Sequence, residues 1–218
     1  MKKFFFVAVA VILAAACAEN KKAEQTYPVG DRALFEVGGN AESVDFTQDA
    51  GGELFFLSDN ITFDKKGLFF VKDIKTKESK EGELTVLTLD TDDEDGGGEE
   101  FVECKYDSRD RLVSVGFWEA SFSDIKYDDQ DRVVSYTAYG FMGIESEHHY
   151  TFTYGKDNNP VRVDVEENHP DYENEGKKLT KNYTFSYEYT AVDDKGNWTE
   201  RKRDDGEVEK RTIKYFAE

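Results

Sequence analysis

A short turn motif recurs along the chain and dictates most of what it can become. FDKKGLF from Phe63, YDSRDRL from Tyr106, YDDQDRV from Tyr127, YGKDNNP from Tyr154 and VDDKGNW from Val192 align into columns with distinct chemistry. Position zero is a strand former in every copy: Phe63, Tyr106, Tyr127, Tyr154 and Val192. Position one is Asp64, Asp107, Asp128 and Asp193, with Gly155 in the copy at Tyr154. A carboxylate at the first corner of a type I turn gathers the backbone N–H groups that follow it. Position four is Gly67, Asp110, Asp131, Asn158 or Gly196, the residue types that enter the left-handed backbone region at least cost. Position six is mostly apolar again: Phe69, Leu112, Val133, Pro160 and Trp198. Each copy therefore predicts a strand, a tight turn and a second strand. Arg111 and Arg132 follow the turn and are expected to pair with the Asp residues before it.

The flanking segments alternate with period two, the signature of a strand with one covered face. Tyr183, Phe185, Tyr187 and Tyr189 fall on one side, against Thr184, Ser186 and Glu188 on the other. Tyr150, Phe152 and Tyr154 repeat the pattern, as do Ile125 and Tyr127. Beyond the N-terminal region no stretch has a convincing helical period. The expected fold is all-β: an antiparallel meander of hairpins, roughly 12 to 15 strands at this turn spacing, with a repeat near 21 residues. Its aromatic face must be covered, so the meander rolls into an open barrel or packs as a sandwich. A flat sheet would need a partner over its aromatics. Lys and Glu scattered along the strands would protect any free edge.

The motif resembles the YD-repeat (Rhs-type) family, whose unit runs Tyr-Asp-x-x-Gly-Arg-Leu. The match is carried by Tyr106, Asp107, Arg111 and Leu112, and by Tyr127, Asp128, Arg132 and Val133. It is looser at Val192, Asp193, Gly196, Asn197 and Trp198. Asp110 and Asp131 stand where the family has Gly, and Gly155 stands where it has Asp. The resemblance covers about residues 60 to 216 and implies a β architecture in a cell-envelope setting. It implies no reaction.

The N-terminus points to the same compartment. Lys2 and Lys3 precede an unbroken apolar run from Phe4 to Ala16. That run is shorter than the roughly 20 residues a membrane span requires and fits the core of a signal peptide. It ends Leu13-Ala14-Ala15-Ala16-Cys17, which resembles the lipobox of bacterial lipoproteins, although Ala14 occupies the usual Leu position. The resemblance implies cleavage before Cys17 and acylation of that cysteine. The expected organisation is a signal peptide over 1–16, a flexible tether over 17–30 and a single all-β domain over 31–218. Ala18 resembles the residue that releases lipoproteins to the outer membrane of a Gram-negative cell. The expected location is therefore the outer membrane, by a lipid anchor, on its periplasmic or surface face.

Composition narrows the partners. The chain holds 47 acidic against 28 basic residues, a net charge of −19, which argues against a nucleic-acid backbone as ligand. Two cysteines cannot make a disulfide framework, and Cys104, between Val102 and Tyr106 on an alternating strand, is expected to be a buried inert thiol. The acidic stretch 90–100 (DTDDEDGGGEE) has carboxylates for calcium but fails the EF-hand register, so a solvated hairpin tip is expected. His148 and His149 are adjacent and point to opposite strand faces, and with His169 they give no zinc spacing. No cofactor or metal is expected.

Trp118, Trp198 and the Phe141-Met142 tip between Gly140 and Gly143 are candidate ligand contacts, although most aromatics of such a protein form its core. No Gly-x-Ser-x-Gly, His-Glu-x-x-His, P-loop or dinucleotide fingerprint occurs. With so many acids, a carboxylate pair suited to a glycoside hydrolase carries almost no information. The expected function is a non-catalytic envelope lipoprotein whose sheet binds a protein or glycan. The alternatives are a structural spacer or assembly component, or a carboxylate-based glycoside hydrolase.

Overall fold

The computed structural model of the chain describes residues 30–48, 60–73, 75–89, 102–117, 120–140, 146–173 and 177–217. Among the described residues, a 3-10 turn over Asp31–Phe35 precedes thirteen strands. These are β1 (Ala41–Gln48), β2 (Asn60–Thr62), β3 (Thr76–Glu81), β4 (Leu84–Leu89), β5 (Val102–Tyr106), β6 (Leu112–Phe117), β7 (Ala120–Tyr127), β8 (Val133–Tyr139), β9 (Glu147–Tyr154), β10 (Pro160–Pro170), β11 (Lys178–Val192), β12 (Trp198–Arg203) and β13 (Val208–Tyr215). All pair antiparallel in one sheet, ordered β2-β1-β13-β12-β11-β10-β9-β8-β7-β6-β5-β4-β3. The fold is the expected all-β meander, and among the described residues the sheet does not close.

The turns form as their chemistry requires. Asp64 Oδ1 accepts the N–H groups of Lys66 and Leu68, both at 2.8 Å. Asp107 Oδ1 accepts those of Arg109 and Arg111 at 2.9 and 3.0 Å. Asp128 serves Gln130 and Arg132 at 2.9 and 3.0 Å, and Asp193 serves Lys195 and Asn197 at 3.0 and 2.9 Å. Position four is left-handed in all four copies, with φ of 88° at Gly67, 57° at Asp110, 58° at Asp131 and 82° at Gly196. The copy at Tyr154 departs from the pattern. Gly155 has no carboxylate to gather N–H groups, and Asn158 does not enter the left-handed region. Another turn of the same shape, at Arg203–Glu207, escapes the alignment because Asp205 rather than the first-corner residue accepts the Glu207 N–H.

Successive copies are stitched together. The Tyr127 hydroxyl donates to the Leu112 carbonyl at 2.6 Å, and the Tyr154 hydroxyl to the Val133 carbonyl at 2.8 Å. Arg111 lies over the Tyr127 ring and Arg132 over the Tyr154 ring, 4.8 and 4.3 Å from the centroids. Arg111 and Arg132 also bond Asp107 and Asp128, as expected. Arg111 further reaches Asp131 of the next turn at 2.9 Å.

The sheet curls around the 3-10 turn. β2 and β3 are consecutive in sequence yet lie at opposite edges, and the link between them sends Phe63, Phe69, Phe70 and Val71 into the core. Phe35 meets Phe63 and Phe69 edge-on at 5.6 and 5.2 Å, and Phe70 reaches Phe122 of β7. Burying such side chains removes apolar surface from water at about 25 cal/mol per Å². Asp31 is fully buried: Oδ1 accepts the Tyr106 hydroxyl of β5 at 3.0 Å, and Oδ2 accepts the N–H groups of Phe69 and Phe70 at 2.7 and 3.1 Å. Arg32, also buried, donates to the carbonyls of Ala41 and Asp64 at 2.9 and 2.8 Å. Cys104 is a buried free thiol, as expected, and burial pushes its pKa up. Among the described residues no helix is long and apolar enough to cross a membrane.

Candidate functional site

A cavity of about 440 Å³ opens where β11 leaves one neighbour for another. Residues 178–186 of β11 register against β10, whereas Tyr187–Val192 register against β12. The strand therefore acts as a corner between two parts of the sheet. Its aromatic stripe lines the cavity through Tyr183, Phe185 and Tyr187, with neighbouring ring centroids 6.4 and 5.5 Å apart. Tyr136, Tyr150, Phe152 and Val163 extend the apolar wall along β8, β9 and β10. Phe46 and Leu34 to Glu36 face them.

The opposite wall is a buried charge network. Arg201 donates to Glu36 and Glu209, each at 2.6 Å. It also lies over the rings of Tyr187 and Trp198, 3.7 and 4.1 Å from the centroids. Burial works against its charge, but Glu36, Tyr187 and Glu209 together hold its pKa above the usual guanidinium value. Burial raises the Glu209 carboxyl, and Arg201 offsets part of that rise. Arg211 has a different set of partners. Its three N–H directions go to the carbonyls of Trp198, Phe35 and Glu36, at 2.8, 2.8 and 2.9 Å. Burial pushes its pKa down to about 9. These bonds satisfy the orphan carbonyls at the end of the 3-10 turn and fix Glu36, whose left-handed backbone (φ 53°) turns its carboxylate toward Trp198 and Arg201.

At the mouth, Arg203 lies 5.2 Å over Phe185 and pairs with Asp205 and Glu207. Asp204 accepts the Ser186 N–H at 3.2 Å. The cavity thus has an aromatic wall, a rim of carboxylates and a guanidinium, and an interior in which ion pairing neutralises Arg201.

Of the candidate contacts, Trp198 lies in the cavity wall, 1% exposed. Its indole N–H donates to Glu36 at 2.8 Å, and the guanidinium groups of Arg201 and Arg211 lie over its ring. Trp118, Phe141, Met142, Cys17 and the acidic stretch 90–100 lie outside the described residues. His149 contacts Thr137 and Glu147 at 2.8 and 3.0 Å. The neighbouring His148 instead approaches His169, ring to ring, at 6.2 Å. Among the described residues no group of three or more His, Cys, Asp or Glu side chains could hold a metal ion.

Sequence reasoning found the aromatic stripe of β11 but missed Glu36, Arg201, Glu209 and Arg211. Glu209 and Arg211 fall in phase with Ile213 and Tyr215, and that in-phase placement was the available signal. Comparison with known proteins gives no match: no family model, no curated protein and no solved structure matches the chain.

Proposed function

We propose that the chain is a non-catalytic cell-envelope lipoprotein, held by lipid at Cys17 to the outer membrane of a Gram-negative bacterium, whose rolled sheet binds a protein or glycan in the cavity at β11. The observation that carries this reading is the aromatic ladder of Tyr183, Phe185 and Tyr187 beside the polar rim of Arg203, Asp204 and Asp205. Flat rings receive the apolar face of a sugar, and the rim groups can hydrogen-bond its hydroxyls. A cavity of this size admits the end of a glycan, which the geometry favours over a whole protein surface. The carboxylates of Glu36 and Glu209 both pair with Arg201, which supports binding rather than acid–base chemistry. The YD-type turns support an envelope scaffold, and the lipobox supports the anchor.

Titrating the chain with envelope glycan fragments, followed by calorimetry, tests the reading. Binding that is lost in Phe185→Ala and Tyr183→Ala chains with unchanged melting temperatures is the expected result. Turnover of a glycoside, or binding that ignores both substitutions, would overturn it. Metabolic labelling with a fatty acid probe tests the anchor, with label expected on the native chain and absent from Cys17→Ser.

A further inference from the structure

The two ends of the sheet differ in what they carry. Gly30, the first described residue, lies against the turns at one end: it bridges to Arg111, and the Asp31 N–H donates to the Gly67 carbonyl at 3.0 Å. The other repeat turns gather at the same end. Arg111 reaches Asp131 at 2.9 Å, Arg132 donates to the Asp157 carbonyl at 3.4 Å, and the Asn159 amide donates to the Gly196 carbonyl at 3.1 Å. The turns at 64–67, 107–110, 128–131, 155–158 and 193–196 thus form one pole around the point where the N-terminal segment enters the domain. β12 runs away from that pole, from Trp198 to Arg203, and the turn after it carries Asp204 and Asp205 of the cavity mouth. The mouth therefore opens toward the opposite pole, on which the β10–β11 connection also lies.

We propose that the turn pole rests on the lipid headgroups of the anchoring membrane and holds the cavity mouth away from it, so that the ligand is a glycan presented opposite that membrane rather than one borne by its own lipids. This rests on the anchor at Cys17. Two independent observations carry it. The first is reach. Cys17 and Gly30 are 13 residues apart, and a chain spans at most about 3.5 Å per residue, or about 45 Å here. To lay the mouth on the lipid, this segment would have to follow the sheet from the 193–196 turn to Asp204, about 35 Å at about 3.3 Å per residue. That leaves it almost fully extended, at a large cost in chain entropy. Resting on the turn pole demands no such extension. The second observation is charge. The exposed tips at the turn pole are balanced, with Lys65, Lys66, Arg109, Lys156 and Lys195 against Glu83 and the Asp residues at 110, 129, 157 and 194. The described turns at the mouth pole expose Glu173, Asp204, Asp205 and Glu207 against Lys177. An anionic lipid surface acts on charges within about a Debye length, about 10 Å, and repels the mouth pole more strongly than the turn pole.

The test uses the full chain purified from envelope membranes, with intact mass reporting its acyl chains. It is placed in vesicles of phosphatidylethanolamine and phosphatidylglycerol that carry a nitroxide quencher on part of their headgroups. A fluorophore is attached at Lys156→Cys or Asp194→Cys, both exposed on the turn pole, or at Glu173→Cys, exposed in the β10–β11 connection. Cys104 is buried and stays unlabelled. Labels at 156 and 194 should be quenched several-fold more strongly than the label at 173. An acylated chain in which position 173 is quenched as strongly as the other two would overturn the orientation and leave the anchor standing. A chain whose mass carries no acyl group would overturn the anchor, and the orientation with it.

Discussion

Tyr127 donates its hydroxyl to the carbonyl oxygen of Leu112, 2.6 Å away and one repeat earlier in the chain. Arg111, which follows the turn of that earlier repeat, lies over the same ring. A single side chain therefore ties two hairpins, and Tyr154 does the same for the next pair through Val133 and Arg132. Tyr127→Phe keeps the ring under Arg111 and deletes only the hydroxyl. It should cost about 1 to 2 kcal/mol, because the Leu112 carbonyl loses its donor. That is a fall of a few degrees in melting temperature for a chain of this size, read by circular dichroism. Tyr127→Leu should cost more, since it also removes the stacking surface.

Arg201 is the second point of weakness. Arg201→Met leaves Glu36 and Glu209 facing each other without their shared cation. Breaking a buried pair in this way costs about 3 to 5 kcal/mol. The urea midpoint should fall sharply, and Arg201→Met combined with Glu209→Gln should recover part of the loss. A double variant no better than the single one would mean that the stacking of Arg201 on Tyr187 and Trp198 dominates.

The capping carboxylates make the turns acid-labile. Partial burial alone would raise Asp107, but its bonds to Arg111 and to two backbone N–H groups hold its carboxyl below the usual range, and Asp128 is depressed in the same way by Arg132. A depressed folded-state value means that the stabilisation is present above the unfolded pKa near 4 and is lost as pH falls through the lower folded value. Asp107→Ala should cost about 1 kcal/mol at neutral pH, as other lost caps do. The difference from the native chain should vanish on acidification, as followed by urea midpoints at descending pH.

Asp31 runs the other way. Burial raises its pKa to about 6, against the bonds from Phe69, Phe70 and Tyr106 that lower it. Between the unfolded value near 4 and about 6 the folded state therefore binds more protons, and its stability falls as pH rises through that window. Asp31→Asn keeps an oxygen for the two N–H groups and presents an amide donor to the Tyr106 oxygen. It should flatten the pH dependence between 4 and 6 and stabilise the chain at pH 7. A variant that unfolds more readily at pH 7 would contradict this.

Gly30 offers a steric test. Its φ is 62°, and a Cβ there would sit 3.0 Å from the carbonyl oxygens of Lys66 and Gly67. Gly30→Ala combines a left-handed backbone with a contact to rigid main chain and should destabilise by about 1 to 3 kcal/mol. The urea midpoint again provides the measurement.

The turns and the strand faces were legible because their determinants are local. An Asp with two N–H partners within four residues, and a left-handed Asp110 or Asp131, leave a column in an alignment. The filling of the sheet was not legible. Asp31 and Arg32 open the domain directly after the expected tether, and nothing local marks them as core, since their partners Tyr106 and Asp64 lie 75 and 32 residues away. The Arg201–Glu36 pair spans 165 residues, and no window along the chain contains both. Alternation identified which side chains share a face but did not reveal that Glu209 and Arg211 turn inward to meet the 3-10 turn.

The pairing of β1 with β13, where Ala41 registers with Tyr215, has a consequence for the time course of folding. A chain made from its N-terminus can zip its hairpins one after another, and β1 can pair early with β2, but that pair cannot join the rest of the sheet until β13 exists. Closing a loop of that length is the entropically slow step, and chains dominated by such distant pairings fold slowly. The interior around Phe35 and Trp198 should therefore be sealed only after the last strand is available. Until then the aromatic face is open to chaperones and to aggregation.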